Sequence, residues 1–158
     1  MQRVIKNFGE FMNEAKQQRD TAGIAIVYEG KILLVHPTNG SWVKPIMGIP
    51  KGKIENGEDT LDAAIRETFE ETGIKVDGSK FPNSPNTVEV YDKSGNFRNI
   101  IYYYEYKIKD LSEIGLETIS VPKSQLQETE IDWAGFIDIK EAYSKVASAQ
   151  RIILDRLS

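Results

Sequence analysis

The sequence predicts an α/β fold, a mixed β-sheet sandwiched by helices, and three observations predict it. Strand-like runs lie on both sides of one amphipathic helix, a second helical pattern closes the chain, and neither regular βα alternation nor an internal repeat is present. Irregular alternation argues against a doubly wound parallel sheet.

The elements follow in order. Val4, Phe8, Phe11, Met12 and Ala15 recur at helical spacing, predicting an N-terminal helix over residues 1–19 that either packs on the domain or makes a dimer contact. Ala22 to Tyr28 and Lys31 to His36 read as a hairpin turning at Glu29-Gly30. Trp42 to Pro50 is a broken extended stretch punctuated by prolines and Gly48. Thr60 to Thr72 is a helix, with Asp59 placed to cap its start and Gly73 to end it in the left-handed conformation. A short strand is expected near Ile74 to Val76, then a polar loop. Thr87 to Tyr91 and Phe97 to Ile108 form a second hairpin around Asp92-Lys93-Ser94-Gly95. Lys109 to Thr129 lacks periodicity and reads as loop. Ile131 to Ile139 is the last strand. Asp138 and Glu141 spell a capping box before a C-terminal helix whose core face is Ala142, Val146, Ala149 and Ile153.

With 158 residues, no composition shift and no linker, one domain spanning 1–158 is expected. The absence of cysteine excludes thiol catalysis, disulfide frameworks and Cys-based zinc sites, and a single histidine excludes His-pair metal motifs. A net charge of −4 argues against bulk attachment to nucleic acid or anionic membrane. The charged N-terminus has neither a signal-peptide core nor a membrane span, so a cytoplasmic location is expected.

On the second helix, Leu61, Ala64, Ile65, Thr68 and Thr72 share one face, while Glu67, Glu70 and Glu71 share another. These carboxylates sit at i, i+3 and i+4, where they repel one another unless a cation intervenes, and all-oxygen donors suit Mg²⁺ or Mn²⁺. By themselves, three acids on a helix read first as a solvated face.

The surroundings decide between these readings. Gly52, Glu58, Arg66, Glu67, Glu70, Glu71, Gly73 and Ile74 fall at the spacing G-x5-E-x7-R-E-U-x-E-E-x-G-U, where U is a bulky aliphatic residue. This 23-residue run resembles the Nudix box, with Thr68 as the one departure, on the packing face. The resemblance implies a Nudix-type α/β/α sandwich carrying the N-terminal helix as an extension. It also implies a Mg²⁺- or Mn²⁺-dependent hydrolase that cleaves a pyrophosphate linkage in a nucleoside diphosphate derivative. Glu67, Glu70 and Glu71 would hold the metal with the Gly52 carbonyl, and Glu58 and Arg66 would orient them. The general base would be Glu67 or a loop acid before the last strand, Glu128 or Glu130, with Glu67 and Glu128 favoured.

Substrate choice lies outside the box. Gly48 to Lys53, GIPKGK, and Arg98 to Tyr106, RNIIYYYEY, resemble the dinucleoside polyphosphate branch, with Lys51 and Lys53 set to contact phosphates and Tyr102 or Tyr104 to stack on adenine. ADP-ribose and the 5′ end of RNA are the alternative substrates, RNA entering only in that form. A nucleotide-binding module without turnover is the reading from another class. No membrane partner is expected, and a homodimer is possible through the N-terminal helix.

Overall fold

The structure is a computed structural model and describes residues 20–82 and 84–157. The expected N-terminal helix, and any dimer contact made through it, lie outside the described residues. Six strands form one sheet: β1 (Thr21–Tyr28), β2 (Lys31–Pro37), β3 (Lys51–Lys53), β4 (Asn86–Tyr91), β5 (Phe97–Ile108) and β6 (Ile131–Asp138). Their order is β4-β5-β1-β2-β6, with β3 paired to β1. β1 and β5 run parallel and the other pairs antiparallel, so the sheet is mixed.

Helix α1 (Thr60–Thr72) covers one face over a core that includes Ala22, Ile24, Ala64, Ile74 and Tyr104. The other face carries α2 (Ile139–Ala142) and α3 (Ser148–Arg156) over Ile32, Leu34, Met47, Tyr103 and Ile153. Alternating side chains of β1 and β2 feed the two cores in turn, which is why both strands are apolar along most of their length.

The ends of α1 obey local chemistry. Asp59 accepts from the Leu61 N–H, and Gly73 sits at φ 72° while its N–H donates to Phe69. Both hairpin turns form where the sequence places them.

Between β1 and β2 the ladder opens. They pair only at Val27 with Ile32 and Tyr28 with Lys31. Beyond that point residues 48–53 wedge in: Val35 N–H donates to the Gly48 carbonyl at 2.8 Å, and Ile24 N–H donates to the Pro50 carbonyl at 3.3 Å. The wedge depends on Gly23, where a Cβ would stand 2.4 Å from the Pro50 oxygen. It brings Lys51 and Gly52 alongside α1.

Three expectations are corrected. Ile74 to Val76 is not a strand; Ile74 plugs the core beneath α1, and its N–H turns back to Thr72 Oγ1. The Asp138–Glu141 capping box does not form, because Asp138 makes no side-chain cap and instead faces Lys31 at 3.8 Å. The C-terminal helix is two pieces. Met47 N–H donates to the Lys145 carbonyl at 2.6 Å and bridges Val146, so residues 143–147 give backbone to the wedge rather than to a continuous helix. Ala142, Val146 and Ile153 are nevertheless buried, as the pattern requires.

Candidate active site

The site forms where the wedge meets the exposed side of α1. Arg66 is its hub. Its Nε and Nη2 donate to the two carboxylate oxygens of Glu58 at 2.8 and 2.9 Å, Nη2 also reaches the Lys53 carbonyl at 3.0 Å, and Nη1 reaches Glu67 at 2.8 Å and Glu70 at 3.2 Å. One guanidinium thus ties the loop, the helix start and two acids together, which a lysine's single ammonium does not reproduce. These bonds hold the Glu58 carboxyl below its ordinary range.

The three helix acids are unequal. Glu70 lies outermost. Glu67 is half-buried, and burial raises its proton affinity against the pull of Arg66. Glu71 is only 8 % exposed, so the expectation of an open carboxylate face is corrected for this residue. Its pKa is pushed up to about 8, chiefly by burial, with the charges of Glu67 and Glu130 adding to it and the Lys51 N–H opposing it. Lys51 is turned toward the same cluster. Burial lowers its pKa, while Glu71 and Glu67 favour its charge.

Gly52 lies directly against Glu67; a Cβ there would stand 2.1 Å from the carboxylate. The Gly52 backbone and the acids therefore share one cradle that only glycine leaves open. A hard divalent cation fits this donor set in charge and chemistry. In the present conformation no three acidic or imidazole groups converge into a closed cation site among the described residues, and Arg66 Nη1 stands between Glu67 and Glu70.

The other candidates divide. Lys53 is exposed, its carbonyl held by Arg66. Glu128 is also exposed, and its carbonyl accepts from Thr38 Oγ1 at 2.7 Å. Glu130, the second loop acid, bears electrostatically on both Glu67 and Glu71, so it rather than Glu128 faces the cluster. Tyr102 lies in a row across the sheet with Ala22 and Gly52 and is partly accessible on the α1 face. Tyr104 is corrected: it is 1 % exposed, its hydroxyl bonds Thr60 Oγ1 at 2.7 Å, and its ring belongs to the core. Thr68 is fully buried and donates to the Ala64 carbonyl at 2.8 Å, so the departure from the box pattern touches packing alone.

Sequence reasoning missed Gln150. Buried on α3, it accepts from the Ile49 N–H at 2.8 Å and fills the space beside Gly48, steadying the wedge from the opposite face. A polar residue on an otherwise apolar helical stripe was its only signal.

Comparisons with known proteins bear on the fold and the family. The fold resembles a MutT Nudix hydrolase from Burkholderia pseudomallei, with a TM-score of 0.65 and 22 % identity over 89 % of this chain and 98 % of that one. It also resembles a C. elegans Ap4A hydrolase complex, with a TM-score of 0.60 and 23 % identity over 87 % and 92 % of the two chains. In sequence, the mRNA decapping complex subunit 2 of Schizosaccharomyces pombe is 30 % identical over 92 residues, 58 % of this chain and 11 % of that protein. The matched segments span less than a third of the curated relatives' lengths. Residues 17–157 match the NUDIX domain, and the chain belongs to that family.

Proposed function

We propose that this chain is a divalent-metal-dependent pyrophosphohydrolase whose preferred substrate is a dinucleoside polyphosphate. The observation that carries the reading is the cradle of Gly52, Glu67, Glu70 and Glu71, braced by Arg66 and flanked by Lys51. Glu67, Glu70, Glu71 and the Gly52 carbonyl would hold a divalent ion, which would supply charge neutralisation at phosphate oxygens and activation of a water.

The chain's own groups do the rest. Arg66 holds Glu67 and Glu70 together beside Gly52. Glu130 accepts the proton of the attacking water, since it faces the cluster from a separate loop and is not itself bound by Arg66. Lys51 and Lys53 neutralise further phosphates, which suits a chain longer than a diphosphate. Tyr102, on the strand row that leads to Gly52, is the remaining aromatic contact of the two tyrosines.

Hydrolysis rates for diadenosine tetraphosphate, ADP-ribose and 5′-triphosphorylated RNA test this reading, compared by kcat/KM with Mg²⁺ or Mn²⁺ and by identified products. A preference for diadenosine tetraphosphate that disappears with chelator is expected. A tenfold preference for ADP-ribose overturns the substrate assignment, and a preference for RNA ends favours the reading suggested by the decapping relative. No turnover of any of them, with nucleotide still bound, turns the site into a binding module.

A further inference from the structure

Away from the carboxylate cradle, residues 43–46, 144–148 and 151 line a cavity of about 630 Å³, a size that suits a small molecule. Its two walls are joined where Met47 N–H donates to the Lys145 carbonyl at 2.6 Å and Met47 bridges Val146. Met47 and Val146 belong to the core beneath α2 and α3, on the sheet face opposite α1, and none of Lys51, Gly52, Glu67, Glu70 and Glu71 lines the cavity. It is a separate place on the molecule.

The charge on these walls has one sign. Lys44, Lys145 and Arg151 line the cavity and no carboxylate does, in a chain whose net charge is −4. Arg151 Nε donates to the Tyr143 carbonyl at 2.9 Å, which ties the guanidinium to the wall and leaves Nη1 and Nη2 without a hydrogen bond among the described residues. None of the three cations forms an ion pair with an acid among the described residues. Like charges around one concavity repel each other and focus a positive potential into its opening. An anion relieves both.

Apolar surface shares the same walls. Val43 is 90 % exposed and Ile46 64 %, with Pro45 between Lys44 and Ile46. The loop that carries them is nevertheless pinned: Ser41 Oγ accepts from the Val43 and Lys44 N–H groups at 3.1 and 3.3 Å, and the Ser41 carbonyl accepts from Nε2 of the buried His36 at 3.0 Å. A wall held in place before a ligand arrives loses little freedom when it binds.

We propose that this cavity binds a small organic anion carrying two or more negative charges on an apolar or aromatic body. A phosphate group suits the two terminal nitrogens of Arg151, which can bond it as a pair, while the lysines neutralise the rest and Val43 and Ile46 cover the body. The concavity favours a small molecule over a membrane, which meets a flat face. Occupancy here is independent of the pyrophosphohydrolase reading, because no cradle residue takes part.

The probe is 1-naphthyl phosphate, a dianion on an aromatic body at pH 8, added in chelator to the isotope-labelled full chain. It should shift the amide signals of residues 43–46 and 144–148 saturably and leave those of α1 and residues 51–53 in place. Lys44→Glu should weaken binding about tenfold and Ile46→Ser about threefold, whereas Lys53→Glu should change it by less than about twofold. Naphthalene-1-sulfonate, with the same ring system and one charge, should bind at least about threefold more weakly than the phosphate. No saturable shift, shifts confined to α1 and residues 51–53, equal affinities for the two naphthyl anions, or an unchanged affinity in Lys44→Glu would overturn the proposal. So would a probe that fails to bind while phosphatidylserine vesicles or poly-glutamate bind the parent and not Lys44→Glu, which would make this face a macromolecular docking surface. The shift map is read on the parent, so it decides the site even where a variant does not fold.

Discussion

The backbone N–H of Lys51 donates to Oε1 of Glu71 at 3.0 Å, so the glycine-rich wedge and the carboxylate helix are latched together by a residue that also belongs to the proposed cation cradle. Glu71 therefore has two tasks, and they conflict. As a latch it is buried; as a ligand it must be ionised.

The conflict gives a pH dependence. Burial raises the Glu71 pKa to about 8 from an ordinary value of 4.5, so without metal the native state holds this proton more tightly than the unfolded chain. The stability gained from protonation is complete below the ordinary value and is lost as pH rises through about 8. Glu71→Gln keeps an acceptor for Lys51 without the buried charge. At pH 8 in chelator it should be more stable than the parent by on the order of 1–3 kcal/mol, with the difference shrinking toward pH 5. Denaturant melts at the two pH values check this, and the same variant should lose kcat by roughly 10²- to 10⁴-fold with Mg²⁺ present.

Gly52→Ala separates site geometry from stability. The added methyl would meet the Glu67 carboxylate at 2.1 Å, while the backbone at Gly52 pairs with Ala22 in an ordinary strand ladder. Glu67 can swing away toward solvent, so melting should fall by no more than about 1 kcal/mol. Activity at saturating Mn²⁺ should fall at least a hundredfold. Near-normal turnover would remove Gly52 and Glu67 from the cradle.

Arg66→Lys should not be conservative. Arg66 serves Glu58, Glu67, Glu70 and the Lys53 carbonyl through three nitrogens, and one ammonium cannot reach all four. The Mg²⁺ concentration needed for half-maximal activity should rise severalfold and kcat should fall by about 10- to 100-fold, as when an orienting group behind a metal ligand is lost. A metal titration of activity reads both.

How much of this was legible depended on how local each signal was. Asp59 and Gly73 could be read because a cap is decided by a few neighbouring residues, and the spacing from Gly52 to Ile74 could be read because one helix and its lead-in loop carry it. The burial of Glu71 was not legible. A helical wheel places Glu71 beside Glu67, but only the wedge closing through Lys51 takes it out of water. Tyr104 looked like Tyr102 because alternation gives them the same face; what separates them is Thr60, which α1 brings down onto the Tyr104 hydroxyl. The break in the C-terminal helix was hidden for the same reason: Met47 competes for the Lys145 carbonyl from 98 residues away, a contact no local pattern records.

Thr68→Val tests whether the one departure from the box pattern is a packing choice. The Thr68 hydroxyl donates to the Ala64 carbonyl, which also serves the helix ladder, so removing it leaves no buried acceptor unpaired. Valine has nearly the same shape and no polar atom to desolvate. Melting should shift by about 1 kcal/mol or less, kcat/KM should stay within twofold, and a large kcat loss would reveal a site role for Thr68.

The loop acids offer the sharpest separation of neighbours. Glu128 and Glu130 are two residues apart, both exposed, and both lend their carbonyls to Thr38, so neither substitution should disturb the fold. They differ in what their side chains face: the charge of Glu130 bears on Glu67 and Glu71. Removing a general base costs roughly 10²- to 10⁴-fold in rate, whereas removing an exposed acid that touches nothing costs almost nothing. Glu130→Gln should therefore lower kcat at least a hundredfold and flatten the acidic limb of the pH profile of kcat, while Glu128→Gln keeps both. Two further outcomes are informative. Were Glu128→Gln the damaged variant, the loop would have to reorganise when substrate binds, swinging its outer acid inward. Were neither affected, the proton would go to Glu67, and the acidic limb would then change in Glu67→Gln alone.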